Sequence, residues 1–163
     1  MPTETAVSIP PATLAEIVHA STEQVFEMML GIPVEYKGWD EKDKVPSFHG
    51  VVGMITFTGA WVGAGLLYAN EEIACKLGSK MLMTEVEQVD AEILDGVGEL
   101  CNMILGNVKE GLEHRTGPLS LGIPTVVYGR NFLARPNVRS TWVETKLDSE
   151  GQEFSVWAAI QPV

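Results

Sequence analysis

Basic side chains are scarce in this chain: 11 Lys and Arg stand against 22 Asp and Glu, a formal net charge of −11. Nucleic acids and anionic membrane surfaces both select a basic footprint, so neither is an expected partner. Cysteine is nearly absent. Cys75 and Cys101 lie far apart, each at an apolar position of a helical pattern, and read as reduced structural thiols of a cytoplasmic protein. No run approaches the ~18 consecutive apolar residues of a membrane span. Residues 1–11 are polar and Pro-rich, with no basic stretch leading into an apolar one, and are expected to be a flexible tail, not a signal peptide. No Gly-x-Gly-x-x-Gly opens a helix, and no P-loop or Gly-x-Ser-x-Gly is present; Gly63 and Gly65 fall in a strand-like run. His19, His49 and His114 have no ligand spacing among themselves or with the cysteines, so neither a metal site nor a cofactor of its own is expected.

What is present is one domain's length, 163 residues with 45% apolar content. A first helix is expected over about Leu14 to Leu30, opened by the capping-box pattern Thr13-Leu-Ala-Glu16 and stopped by Gly31 and Pro33. Val34 to Tyr36 is a short strand candidate, and the charged stretch Trp39 to Ser47 reads as a loop. Val51 to Thr58 and Trp61 to Ala69 form a hairpin turning at Thr58-Gly59. A helix over Glu71 to Met83 has Asn70 as a natural N-cap. A long helix starts at Thr84 or Asp90 and ends near His114. Strands are expected over Thr125 to Tyr128, Arg139 to Leu147 and Phe154 to Ile160, the last alternating cleanly.

These elements are duplicated. Met28-Met-Leu-Gly31 parallels Met103-Ile-Leu-Gly106, and Gly31-Ile-Pro33 parallels Gly122-Ile-Pro124; each half reads as a helix followed by three strands. The expectation is a single α+β domain over residues 12–163, with pseudo-repeats at about 13–83 and 84–163. Its helices would pack on one face of an antiparallel sheet.

Within the long helix, Asp95, Glu99 and Asn102 fall at i, i+4 and i+7 and span about 60° of the circumference. The apolar residues of the same segment, from Ile93 to Leu112, fill an arc centred roughly opposite, so Glu99 and Asn102 point towards water or a partner. Exposed polar residues on an amphipathic helix are ordinary. Three glycines in the segment, Gly96, Gly98 and Gly106, each cost a helix about 1 kcal/mol relative to Ala. They fit either a docking surface that needs close approach or helix packing within the domain, and Gly106 maps nearest the stripe.

Asp95-Gly-Val-Gly-Glu99-Leu-Cys-Asn102-Met-Ile-Leu-Gly106-Asn107, with Pro124 twenty-two positions after Asn102, resembles the active-site signature of the CheC/CheX/FliY family. The pattern is Asp or Ser, three residues, Glu, two residues, Asn, then a Pro some twenty residues on. Gly50 to Gly59 and Glu71 to Leu82 also resemble CheX chains, and the likeness covers roughly residues 12–163. The resemblance implies a CheC-like pseudo-twofold fold and a phosphatase that hydrolyses the aspartyl phosphate of a CheY-type response regulator. It implies that Asn102 orients the attacking water and that Glu99 pairs with the partner's active-site Lys. Asp95 and Gly98, with Gly106, would belong to the partner-binding face, although Asp95 also fits a plain solvated residue. Pro124 would shape the chain beside the helix. Mg²⁺ would be supplied in the partner's phosphorylation site, and a homodimer joined through the sheets is implied, with Trp142 and Trp157 available for an interface. Superposing the two Met-x-Leu-Gly segments places Ala20, Gln24 and Glu27 opposite Asp95, Glu99 and Asn102. One CheX-like site is therefore expected, with a residual reversed site at Gln24 and Glu27 left open. Two alternatives remain: a module that docks a response regulator or motor-switch protein without hydrolysis, and a phosphatase of a non-chemotaxis receiver.

Overall fold

The computed structural model describes residues 8–163. Helix α1 (Pro11–Val25) continues into a π-helical turn, Phe26–Leu30, and is followed by strands β1 (Glu35–Lys42), β2 (Phe48–Gly59) and β3 (Trp61–Ala69). Helix α2 (Glu71–Leu82) leads to the long α3 (Ala91–Thr116). Strands β4 (Leu119–Leu121), β5 (Thr125–Phe132), β6 (Trp142–Ser149) and β7 (Gln152–Pro162) follow.

All seven strands form one sheet of order β1-β6-β7-β3-β2, with β4 and β5 both paired to the outer edge of β2. Every pairing is antiparallel. The order β1-β6-β7 followed by β3-β2-β5 reads the same from either end once each strand is exchanged for its counterpart in the other half. The antiparallel contact of β3 with β7, Gly65 opposite Ala158, lies at the centre. The duplication seen in the sequence is thus a pseudo-twofold sheet. The second half adds the far end of α3 and the short β4.

Alternation along the strands divides the core into two. On β7, Phe154, Val156, Ala158 and Ile160 join the cluster under the helices, whereas Trp157 and Ala159 face the other side. Among the described residues no helix covers that second side. Val45, Ala134 and the half-buried Phe132 and Val138, from the segments around β1–β2 and β5–β6, close over Trp142 and Trp157 instead. Both tryptophans are buried, at 4% and 2% exposure, so they are core residues and not interface anchors. Trp157 Nε1 donates to Ser155 Oγ at 2.9 Å, which satisfies its polar edge inside the cluster.

Several boundaries differ from expectation for local reasons. Residues 1–7 of the expected tail lie outside the described residues, while Ile9 already packs against the core and Pro11 opens α1. Thr13 is not a cap: Pro10 takes the N-cap position without a side-chain bond, and Pro11 supplies the preset φ of a first helical residue. The charged stretch from Trp39 is strand as far as Lys42, and only residues 43–47 form the expected loop. The strand part belongs to the edge strand β1, whose Asp40 pairs with Lys146 across the ladder to β6. Charge is ordinary on an edge strand because one side of it meets water. The strands β5, β6 and β7 are also shifted or longer than expected, and β4 is additional.

Helix α3 sits low on the sheet because glycines lie beneath it. A Cβ on Gly53 of β2 would lie 2.9 Å from Cys101 Cβ, and one on Gly65 of β3 would overlap the Leu105 side chain. Gly53→Ala should therefore lift the helix and lower stability by about 1–3 kcal/mol in a denaturant titration. An unchanged midpoint would show that α3 is not held by this contact.

Candidate active site

Asp90 caps α3, its Oδ1 accepting the Ile93 N–H at 2.9 Å, so the helix starts at the later of the two expected positions. Val97, Cys101, Ile104, Leu105 and Val108 are buried against the sheet. On the opposite arc Asp95 and Glu99 are exposed, and Asn102 and Gly106 half-buried. The structure therefore brings the acid and the amide to one outward stripe, one helical turn apart. Among the described residues no side-chain hydrogen bond or ion pair engages Asp95, Glu99 or Asn102.

Two walls flank this stripe. On one side, Glu113 Oε2 accepts the Leu119 N–H at 2.9 Å while its Oε1 pairs with Lys109 at 3.0 Å, tying the start of β4 to α3. The amide of Leu119, then the Lys109 ammonium, hold the Glu113 carboxyl below its ordinary range. The chain then passes Gly106, where a Cβ would meet Leu121 Cδ2 at 3.8 Å, and turns where the Gly122 N–H donates to Thr56 O at 2.8 Å. Ile123 is 91% exposed, and the half-buried Pro124 precedes β5. Pro124 thus lies in the connection that borders α3 between the levels of Gly106 and Gly98.

On the other side α1 runs antiparallel to α3, with Ile17 against Gly111 and Gln24 Oε1 accepting from Asn107 Nδ2 at 3.4 Å. The end of α1 and α3 enclose an open groove of about 440 Å³, with Gln24, Met28 and Met29 facing Asn102, Gly106 and Asn107. Met28 and Met29 were not singled out as site residues by sequence reasoning. Their signal, two adjacent apolar residues beside a repeated motif, was absorbed into the duplication itself.

The helix glycines divide by role. Gly96 abuts Gly78 of α2, whose Cα would stand 3.2 Å from an added Cβ, so it allows the helices to cross closely. Gly98 is buried, and its Cβ would meet Val126 Cγ2 at 3.0 Å; it packs α3 on β5 and does not belong to a docking face. Only Gly106 opens onto the stripe. Its sequence counterpart Gly31 does different work, ending the π-helical turn at φ +66°.

Other chemistries have little support. Burial pushes the Cys101 thiol up to about 12, which keeps it protonated and unreactive. Among the described residues no group of three His, Cys, Asp or Glu is placed to hold a metal ion, and no helix is long and apolar enough to cross a membrane. The stripe offers a carboxylate and a carboxamide to a molecule arriving from outside.

A family model described as chemotaxis phosphatase CheX matches residues 51–147, a range that contains the stripe and Pro124. The chain is similar to the CheY-P phosphatase CheX of Thermotoga maritima, 32% identical over 122 residues, 72% of this chain and 79% of that protein. A putative chemotaxis protein from Desulfovibrio vulgaris Hildenborough shares the fold at a TM-score of 0.82 and 23% identity, with 91% of this chain and 96% of that one covered. CheX of Borrelia burgdorferi, solved as a CheX–CheY–BeF3–Mg²⁺ complex, superposes at a TM-score of 0.69 and 21% identity, covering 90% of this chain and 96% of that one.

The division of the glycines gives opposite expectations for one added methyl group. Gly106→Ala should raise stability by up to roughly 1 kcal/mol through helix propensity, because the site has room. Gly96→Ala should lower it, because the facing atoms are backbone and cannot move aside cheaply. Thermal unfolding of the pair checks both signs.

Proposed function

The chain belongs to the CheX family of chemotaxis phosphatases, and on that premise we propose that Glu99 and Asn102 carry the hydrolysis of an aspartyl phosphate on a CheY-type response regulator. The observation that supports this most is the outward stripe of α3, where a free carboxylate and a half-buried carboxamide stand one turn apart. Both are near enough to enter one recessed site on a partner together.

An aspartyl phosphate is a reactive acyl phosphate. In this reading the receiver's own site holds Mg²⁺ and a Lys that neutralise the phosphoryl oxygens, so the phosphatase need only place a water in line. The Asn102 carbonyl accepts an O–H of that water and turns its lone pair towards phosphorus, and the neutral amide does not repel the phosphate. The water oxygen bonds to phosphorus as the P–O bond to the aspartyl carboxylate breaks. The carboxylate leaves with the electron pair, and the water proton passes to the phosphate product. Glu99 pairs with the receiver's Lys and sets the register that brings Asn102 to the water. Asp95, on the same stripe, adds a second polar contact.

The first-half helix is not a second centre in this reading. Gln24 is turned to Asn107, and Glu27 lies in the π-helical turn, which breaks the spacing that Glu99 and Asn102 have. A cytoplasmic homodimer joined through the sheets completes the proposal; among the described residues the outer edges of β1, β4 and β5 are the strand edges available for it.

Asn102→Ala should reduce dephosphorylation about a hundredfold while binding to the receiver is kept, since only in-line positioning is lost. Retention of more than half the wild-type rate removes Asn102 from this role. Glu99→Gln keeps shape but not charge and should weaken both binding and rate; wild-type behaviour of that variant contradicts the ion pair. Gln24→Ala and Glu27→Ala serve as comparisons and should leave the hydrolytic rate constant near wild type.

A further inference from the structure

We propose that the groove between the end of α1 and α3 is the apolar anchor of the response-regulator interface, with Met28 and Met29 seated against an apolar patch beside the receiver's phosphorylation site. This rests on the assignment of Glu99 and Asn102 above and adds what determines affinity and target choice.

Asn102 and Gly106 belong to the α3 stripe and also line the groove that Met28 and Met29 face. A protein that delivers a phosphoryl group to Asn102 must therefore lie over the groove. Glu99 and Asn102 span a single helical turn, whereas a stable protein interface covers about 800 Å² on each partner. Most of the contact has to come from the flanks, and these are apolar: Met28 and Met29 at 73% and 51% exposure on one side, Ile123 at 91% on the other.

Val25 and Phe26 are buried, and the wider π-helical turn carries the next residues outward before Gly31 stops it in the left-handed conformation. A single-turn π segment is uncommon and recurs at functional sites. Here it holds two consecutive methionines at the surface of the half that lacks the acid-then-amide pair. Methionine is flexible and polarisable, and suits a surface that must fit a partner's apolar patch without strict shape matching.

Glu110 lines the groove, Asp95 and Glu99 are exposed on the α3 stripe that continues from it, and the nearest cation, Lys109, is already paired with Glu113. An apolar centre with an acidic rim complements a receiver face with an apolar centre and a basic rim.

The test uses the full chain and the receiver that the wild-type protein dephosphorylates in a panel of phosphorylated CheY-type domains. M28E/M29E, M28L/M29L and Met83→Glu are compared; Met83 is 92% exposed at the end of α2 and outside the groove. KM and kcat are measured, along with Kd for the same receiver carrying beryllium fluoride and Mg²⁺ in place of the phosphoryl group. M28E/M29E should raise KM and Kd about tenfold, with kcat within about twofold and thermal unfolding unchanged. M28L/M29L should stay near wild type, and Met83→Glu should be silent. Unchanged KM and Kd in M28E/M29E, or a loss of kcat alone, overturns the proposal, as does a Leu pair that fails as badly as the Glu pair. Failure of the wild-type chain on every receiver is a separate result, which removes the phosphatase assignment and this inference with it.

Discussion

The seat of α3 on the sheet is the constraint on which the site depends. Gly53 and Gly65 remove two side chains from β2 and β3, and Cys101 and Leu105 descend into the space. With Ile93, Val97, Leu100, Ile104 and Val108 buried on the same arc, the rotation of the helix about its axis is fixed. Turning it by one residue would expose several of these side chains, each worth about 1.5–3 kcal/mol in burial. The stripe of Asp95, Glu99 and Asn102 therefore faces outward because the core leaves no other orientation. A water-positioning amide needs that rigidity, since misplacement by about 1 Å is enough to cost a large part of an orientation effect.

The duplicated sheet is nearly symmetric, but the helices laid on it are not. α3 remains α-helical through Gly106 and carries the Glu99–Asn102 stripe, while α1 loosens into a π-helical turn and stops at Gly31. The two Met-x-Leu-Gly segments share a sequence and differ in backbone. Their antiparallel packing puts the altered end of α1 beside the intact stripe of α3, so the half without an acid-then-amide pair becomes a wall of the groove beside that stripe.

The fold was legible wherever one periodicity dominated. The long helix, the β2–β3 hairpin, the Asn70 cap and the strand at Phe154 could be read from spacing, and the direction of the Glu99–Asn102 stripe followed from the apolar arc opposite. What was illegible depends on contacts distant in sequence. β1 carries charges because it is an edge, and β4 is too short to show a pattern. Trp142 and Trp157 are covered by loops whose path no periodicity reveals. Three of the four glycines of α3 look alike in sequence; only Gly78, Val126 and open space distinguish Gly96, Gly98 and Gly106. Pro124 was recognisable by its distance from Asn102, yet its place beside the helix follows from the Thr56 and Glu113 contacts that fix β4.

Hydrolysis with turnover is what separates a phosphatase from a module that merely docks on a phosphorylated receiver. Inorganic phosphate release from CheY-type receivers, with the wild-type chain at one-hundredth of the receiver concentration, measures this directly. The expected result is complete loss of aspartyl phosphate from at least one receiver well ahead of its spontaneous decay, each phosphatase chain acting many times. Binding to the phosphorylated receiver with no acceleration of phosphate release, or protection of the phosphate, would contradict the assignment of Glu99 and Asn102 to catalysis.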